Sequence, residues 1–179
     1  TIAEAQHLWQ VVARPNVMIK VPATREGIPA VEALTAAGIN VNITLMFSLD
    51  HYEAVAQAYL RGLDRHANPG QVASVASIFV SRLDTVADRL LQDIGSPEAL
   101  ALRGTIAIAN ARRIYRRFRE IFQGAPFARL SQRGARVQRP LWASTGTKNP
   151  AYSDVLYLES LVAPNTITTA PPTTMDAFR

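Results

Sequence analysis

Short β-rich runs alternate with amphipathic helical segments along this chain, and no other feature limits its possible folds as strongly. The first three runs are separated by apolar residues at helical spacing, and they lie at residues 17–21, 40–47 and 75–81. Gly38 can end the first intervening helix, and Ser48 can cap the second. Strands that alternate with helices in this way predict a parallel sheet with right-handed crossovers.

The rest of the chain continues this pattern. Helical periodicity recurs in four further segments, at residues 2–12, 83–94, 97–122 and 154–161. A polar, arginine-rich stretch at 124–139 is expected to be irregular. Two more strands are predicted at 141–145 and 165–169, which makes five strands with helices between them.

The second predicted strand has one polar and one apolar face. The polar face carries Asn40, Asn42, Thr44, Met46 and Ser48. The opposite face carries Val41, Ile43, Leu45 and Phe47. Strands of a doubly wound sheet are usually apolar on both faces, whereas a polar face suits a barrel interior that leads to an active site. The sequence therefore favours the α/β fold of a (β/α)8 TIM barrel.

Five strands are too few to close such a barrel, which needs about 250 residues. The chain has 179 residues and starts with Thr1 rather than Met. We expect residues 1–179 to form one incomplete barrel domain that lacks about three N-terminal βα units.

Composition excludes several kinds of chemistry. The chain has no cysteine, which rules out disulfides, a thiolate nucleophile and cysteine-bound zinc. Neither an apolar run of about 18 residues nor a secretory leader is evident, so we expect a cytoplasmic protein without membrane association. A net charge of +5 suits phosphorylated metabolites as well as nucleic acid.

Lys20 and Lys148 are the only lysines among 19 basic residues. Lys20 lies in the first strand, on the face opposite Ile19 and Val21, and should point into the barrel. A poorly hydrated interior disfavours the ammonium form, which suits a lysine that forms a Schiff base. The alternative is a structural lysine that pairs with a carboxylate or extends its charge to solvent.

Three neutral polar residues share the predicted interior with Lys20. Asn42 and Thr44 lie on the second strand, and Ser77 lies on the third. Such amide and hydroxyl groups can orient the hydroxyls of a sugar, although each one alone is more typical of polar filling in a barrel.

Arg82, Ser144 and Lys148 follow the third and fourth predicted strands. Because the C-terminal ends of barrel strands meet at one rim, these two cations and one hydroxyl could bind a phosphate. Ordinary surface placement is the alternative.

The densest charge cluster lies within the helix predicted at 97–122. It consists of Arg112, Arg113, Arg116, Arg117 and Arg119. A solvated outer face of a barrel helix is favoured over an RNA-binding face, because no aromatic platform accompanies the arginines. No metal site is expected, since the three histidines fall on predicted helices, and no glycine-rich phosphate loop is present.

Two long segments around the candidate residues resemble the signature of the transaldolase family. They are Val-Met-Ile-Lys-Val-Pro-Ala-Thr at 17–24, followed by Glu-Gly at 26–27, and Gly-Ile-Asn-Val-Asn-Ile-Thr-Leu-Met-Phe-Ser at 38–48. Residues 77–82, 142–150 and 163–169 are similar to the longer bacterial branch of that family. The resemblance covers nearly the whole chain as a C-terminal portion, and it implies a barrel of the class I aldolase type.

The resemblance also implies a mechanism that needs no cofactor. Lys20 would form a Schiff base with fructose 6-phosphate or sedoheptulose 7-phosphate and carry a dihydroxyacetone enamine to an aldose phosphate, in the pentose phosphate pathway. Asn42 and Ser77 match positions that hold the dihydroxyacetone unit, and Thr44 matches one that positions a proton-relay water. Arg82, Ser144 and Lys148 match the phosphate region.

The resemblance also leaves alternatives open. The family takes an aspartate and a glutamate for acid–base steps from earlier strands, which this chain does not contain, so the chain alone is expected to be nearly inactive. A fructose 6-phosphate aldolase, a fusion with a phosphoglucose isomerase and a non-catalytic phosphate- or RNA-binding protein are the competing hypotheses. The sequence does not predict an oligomeric state.

Overall fold

The computed structural model describes residues 1–179 and contains a single five-stranded sheet. Every strand runs parallel to its neighbours, and the spatial order follows the chain: β1 (Ile19–Pro22), β2 (Val41–Met46), β3 (Ser74–Phe79), β4 (Arg139–Ala143) and β5 (Ile167–Thr168). Sequential parallel strands with helical crossovers are the arrangement of a (β/α)8 barrel. The predicted fold class, a partial TIM barrel, is therefore confirmed.

Nine helices flank the sheet. They are α1 (Ile2–Val12), α2 (Gly27–Ala36), α3 (Leu49–Arg65), α4 (Ser81–Ile94), α5 (Pro97–Ala101), α6 (Ile106–Phe122), α7 (Ala125–Gln132), α8 (Leu156–Leu161) and α9 (Pro172–Phe178). Ser48 begins α3 as the sequence predicts, because its Oγ accepts a hydrogen bond from the backbone N–H of His51 at 3.2 Å. None of the helices combines the length and the hydropathy that a membrane crossing requires.

The helices differ from the sequence prediction in three places. The helix predicted at 97–122 is interrupted between α5 and α6, where Gly104 adopts a left-handed conformation with φ of 72°. The stretch at 124–139, predicted to be irregular, contains α7, which buries only Phe127 and Leu130 and so shows little periodicity. The helix α9 was not predicted at all.

One face of the sheet is covered by helices and contains the hydrophobic core. Val21, Val41 and Ile43 are completely buried on this outer face, and α2 and α3 pack over it. The opposite face, which we call the inner face, carries Lys20 and Asn42 in adjacent strands. The strands β1 and β2 therefore use alternate residues for the core and for the inner face.

Asn40 joins the beginnings of the first three strands. Its Nδ2 donates to the carbonyl oxygens of Pro15 at 3.1 Å and Val17 at 3.2 Å, and its Oδ1 accepts from Ala73 N at 2.8 Å. Because Asn40 is buried, these bonds satisfy groups that would otherwise be costly to remove from water. They also hold β1, β2 and β3 in register.

The alternation of β2 breaks at Leu45. This residue has a left-handed backbone with φ of 64°, and the pairing with β3 shifts between Ile43 and Met46. Met46 is consequently completely buried, whereas Leu45 is 41% exposed. The prediction that Met46 lies on the polar face and Leu45 on the apolar face is wrong, because a bulge exchanges the faces of the residues beyond it.

Candidate active site

Lys20 lies in the edge strand β1, between two residues of the core. Ile19 and Val21 are buried, while the Lys20 side chain is exposed on the inner face. Lys20 forms none of the ion pairs of the chain. Its orientation agrees with the prediction, but its predicted burial is wrong for this chain, because the inner face of β1 is open to solvent at this position.

Asn42 and Ser77 extend the inner face from β1 to β3. Asn42 is the register partner of Lys20, and its Oδ1 accepts a hydrogen bond from Ser77 Oγ at 2.7 Å. Ser77 is only 3% exposed, so this bond is largely shielded from water. This bond fixes the end of the amide that faces β3, which leaves the Nδ2 group as a donor for a bound molecule beside the lysine. The structure thus brings these three predicted residues together on three consecutive strands.

Thr44 follows Asn42 on the same face of β2, where it pairs in register with Pro22. Its Oγ1 is buried and has no hydrogen-bond partner among the protein atoms. Buried hydroxyl groups nearly always have a partner, so an unpartnered one is a candidate for contact with a bound molecule. The bulge at Leu45 comes directly after Thr44 and ends the regular inner face there.

The five strands contain no aspartate or glutamate. The inner face therefore combines the Lys20 amine with neutral hydrogen-bonding groups and with Arg139, the register partner of Val75 at the start of β4, and its strands supply no carboxylate. This set can bind a hydroxylated carbonyl compound and attack its carbonyl carbon, but it offers no carboxylate on the sheet for proton transfer.

Arg82 lies in the first turn of α4, close to the ring of Phe79, the last residue of β3. Its Cζ is 5.0 Å from the centre of the Phe79 ring, and that ring meets Phe47 edge-on at 5.5 Å. A cation–π contact of this kind orients the exposed guanidinium group. Sequence reasoning missed both phenylalanines, because an aromatic residue at a strand end is not distinctive without its neighbours.

Ser144 comes directly after β4 and contacts the start of α4. Its carbonyl oxygen accepts from the backbone N–H of Ser81 at 2.9 Å, and the hydroxyl oxygens of the two serines are 3.0 Å apart. Ser144 adopts a left-handed backbone with φ of 57°. Because Ser81 precedes Arg82, the structure places Ser144 beside the start of the helix that carries Arg82.

Lys148 is exposed between two clefts at the same rim. The larger, of about 420 Å³, is also lined by Asp88, Arg103 and Tyr152, and the smaller, of about 300 Å³, is also lined by Ser144. Arg82 lines neither cleft. The structure therefore places Lys148 beside Ser144 but does not bring its side chain to Arg82.

Two aspartates of α4 were not identified from the sequence. Asp84 is 2% exposed and accepts from Tyr157 Oη at 2.8 Å and from Ala107 N at 2.7 Å. Burial raises the pKa of the Asp84 carboxyl group above its ordinary value, and these two hydrogen bonds oppose that rise. Asp88 accepts from Tyr152 Oη at 2.6 Å. Their spacing of four residues on the helix after a strand was the only signal available in the sequence.

The arginine cluster of α6 lies on the exposed side of the helix layer. Arg117 pairs with Glu53 at 2.6 Å and with Glu120 at 3.0 Å, and Arg116 pairs with Glu120 at 3.1 Å. The hydrogen bonds from the arginines hold the pKa of Glu120 below its ordinary value. Part of the positive charge of this face is thus already paired within the chain, as expected for the solvated outer face of a barrel helix.

Comparison with known proteins gives a consistent family assignment. A family model described as "Transaldolase/Fructose-6-phosphate aldolase" matches residues 1–179. Curated relatives named "Transaldolase" include proteins from Mycobacterium marinum (strain ATCC BAA-535 / M), 54% identical over 182 residues, and Thermobifida fusca (strain YX), 53% identical over 181 residues. Each alignment covers 99% of this chain and 49% of the relative. The chain therefore spans about half the length of the curated relatives it matches.

Proposed function

The chain belongs to the transaldolase/fructose-6-phosphate aldolase family, and from this premise we propose that it is the lysine-bearing part of a transaldolase. The proposed reaction moves a dihydroxyacetone unit from a ketose phosphate, sedoheptulose 7-phosphate or fructose 6-phosphate, to an aldose phosphate. The observation that carries the proposal is the position of Lys20 on the inner face, next to Asn42 and the Ser77–Asn42 hydrogen bond. We further propose that this reaction belongs to the pentose phosphate pathway and takes place in the cytoplasm.

The proposed chemistry begins with attack of the neutral Lys20 amine on the C2 carbonyl carbon of the ketose phosphate. Loss of water gives an iminium ion. A base then takes the proton of the C4 hydroxyl group, the C3–C4 bond breaks, and its electron pair moves toward the positive nitrogen to form an enamine. The first aldose phosphate leaves, and an enamine of dihydroxyacetone remains on Lys20. The enamine carbon then attacks the aldehyde of the acceptor, and water releases the new ketose phosphate and restores the amine.

The polar residues of the inner face have proposed roles around this intermediate. Asn42 Nδ2 would donate to a hydroxyl oxygen of the dihydroxyacetone unit, since its Oδ1 is held by Ser77. The buried, unpartnered Thr44 Oγ1 would hold the water that relays protons. Both roles are consistent with the resemblance of these positions to the transaldolase signature.

The phosphate group of the substrate would bind at the rim. We assign it to Arg82 and Ser144, with Lys148 contributing from the adjacent loop. The guanidinium of Arg82 is held over Phe79, and Ser144 is bonded to Ser81 beside it. A planar guanidinium is well suited to a phosphate because it donates two parallel hydrogen bonds.

Acid–base catalysis needs groups from outside residues 1–179. The strands of this chain contain no carboxylate, and the chain spans about half the length of its relatives. We propose that the protein at the length of those relatives contributes the aspartate and glutamate that the family uses, and that it covers the inner face so that Lys20 loses contact with water.

A trapping experiment tests the proposal. The protein is expressed at the full length of its relatives, incubated with fructose 6-phosphate and borohydride, and digested for peptide mass analysis. Reduction of the enamine's iminium form should leave a three-carbon adduct on Lys20, with none on Lys148 and none in Lys20→Ala. An unmodified Lys20 in folded protein would exclude this mechanism.

The same preparation separates a transferase from an aldolase, a distinction that matters because the family model names both activities. A transaldolase turns over only when an acceptor aldose phosphate is present, whereas an aldolase releases dihydroxyacetone without one. We expect turnover to depend on the acceptor.

A further inference from the structure

Asp84 and Asp88 lie one turn apart on α4 and each accepts a hydrogen bond from a tyrosine located after β4. Asp84 accepts from Tyr157 Oη at 2.8 Å, and Asp88 accepts from Tyr152 Oη at 2.6 Å. The two tyrosines belong to the segment between β4 and the end of α8. Two hydrogen bonds between side chains far apart in sequence thus attach this segment to α4.

Each aspartate uses its second oxygen to hold a third part of the chain. Asp84 Oδ1 accepts from Ala107 N at 2.7 Å, and Asp88 Oδ1 accepts from Gly104 N at 2.9 Å. A side chain at Gly104 would have to share space with the Tyr152 ring, whose Cζ lies 3.0 Å from the position of an added Cβ. The Tyr152 ring is therefore packed in place as well as hydrogen-bonded.

These contacts connect the two sides of the proposed phosphate site. Arg82 lies at the start of α4, whereas Ser144 and Lys148 precede Tyr152 in the loop after β4. The start of this loop is fixed by the hydrogen bonds between Ser81 and Ser144. The Tyr152–Asp88 bond fixes its far end, so that Lys148 lies in a loop held at both ends.

We propose that Asp88 and Tyr152 are positioning residues for the substrate phosphate, which they serve by holding the Lys148 loop against α4. This inference rests on the proposed function, since it concerns the phosphate site of that reaction. The cleft of about 420 Å³ is lined by Asp88, Tyr152 and Lys148. Neither Asp88 nor Tyr152 lies on the strands that carry Lys20 and its polar neighbours. They should therefore affect phosphate binding rather than the chemistry at Lys20.

Asp88 is a better test of this role than Asp84. Asp84 is almost completely buried, so its removal would leave buried donors without a partner and threaten the fold. Asp88 and Tyr152 are only partly buried, and Tyr152→Phe removes one hydroxyl while it keeps the ring that packs against Gly104.

The experiment uses the full-length protein and compares Tyr152→Phe with the wild type. We expect the KM for fructose 6-phosphate and the inhibition constant of inorganic phosphate to rise together by about fivefold, the size expected for one lost hydrogen bond. The kcat should stay within about twofold, because Lys20 and its neighbours are unchanged. Asp88→Ala should give at least the same rise, and Asp88→Asn, which keeps one carbonyl oxygen as an acceptor, a smaller one.

Tyr115→Phe is the matched control. It removes the same hydroxyl group from a tyrosine that bonds Pro164 O at 3.2 Å, away from the phosphate site, and should change neither constant. The inference is overturned if Tyr152→Phe leaves the inhibition constant of phosphate unchanged, or if it lowers only kcat or the thermal stability. Failure of the proposed function is a separate result, because it would appear in the wild type as an absent Lys20 adduct.

Discussion

The two faces of the sheet have different constituents, although they share the same strands. On the outer face, Val21 and Ile43 are completely buried beneath the helices. On the inner face, Lys20 is exposed and Asn42 is half-buried. Lys20 directly precedes Val21 in the sequence, and Asn42 directly precedes Ile43. Neighbouring residues of one strand therefore differ in what they do: one contributes apolar burial, and the next presents a polar group.

The inner face itself is not uniform from strand to strand. Lys20 in β1 is exposed, whereas Ser77 in β3 is almost completely buried and hydrogen-bonded. The inner side of the edge strand β1 is open to solvent at Lys20, while the part of the face nearer β3 is enclosed. The outer face therefore contributes the buried apolar core of this chain, whereas the inner face presents its polar groups partly to solvent.

The largest effect is expected when the turnover of residues 1–179 is compared with that of the full-length protein. General acid–base catalysis contributes about 10²–10⁴-fold, and the strands of this chain contain no carboxylate for it. Turnover of fructose 6-phosphate with an acceptor aldose phosphate should therefore be lower by at least about 10²-fold for residues 1–179 than for the full-length protein. Circular dichroism must first show that the shorter chain is folded. If the two turnover rates lie within tenfold of each other, the inner face of residues 1–179 is sufficient for catalysis, and this prediction is wrong.

The next largest effect is a difference in the free energy of unfolding between a variant of the outer face and a variant of the inner face. Ile43→Ala should lower the free energy of unfolding by about 2–5 kcal/mol, since it removes completely buried methyl groups and leaves a cavity. Lys20→Ala should change it by no more than about 0.5 kcal/mol, because the lysine is exposed and unpaired. Urea denaturation of residues 1–179, in which the Lys20 side chain is open to solvent, measures both values once circular dichroism has shown that this chain is folded. Similar losses for the two variants would show that the faces do not divide their roles in this way.

The smallest effect concerns Ser77, which belongs to the inner face but is buried like a core residue. Ser77→Ala removes the donor to Asn42 Oδ1 and should lower the free energy of unfolding by about 1 kcal/mol. The same variant should lower kcat/KM for fructose 6-phosphate by more than its loss of stability explains, because Asn42 is then free to rotate away from the substrate. An unchanged kcat/KM would show that Ser77 contributes to stability only and has no role in the site.

The candidate site was largely predictable because its residues are marked by local pattern. Lys20 interrupts an apolar strand, and Asn42 and Thr44 alternate with buried residues, so their shared face follows from the period of a strand. The face of Met46 could not be predicted, because the bulge at Leu45 depends on pairing with β3. Asp88 and Tyr152 were missed for a similar reason: they are 64 residues apart, and neither is unusual by itself.

The sequence by itself determined the order of strands and helices, the chemical groups on each strand and the polarity of its two faces, because these depend on residues close together in the chain. Tertiary structure alone decided where the faces exchange, which hydroxyl groups meet the carboxylates of α4, and how exposed Lys20 is. Each of these depends on distances between segments far apart in sequence. Burial is a property of what packs against a residue, and no local pattern contains it.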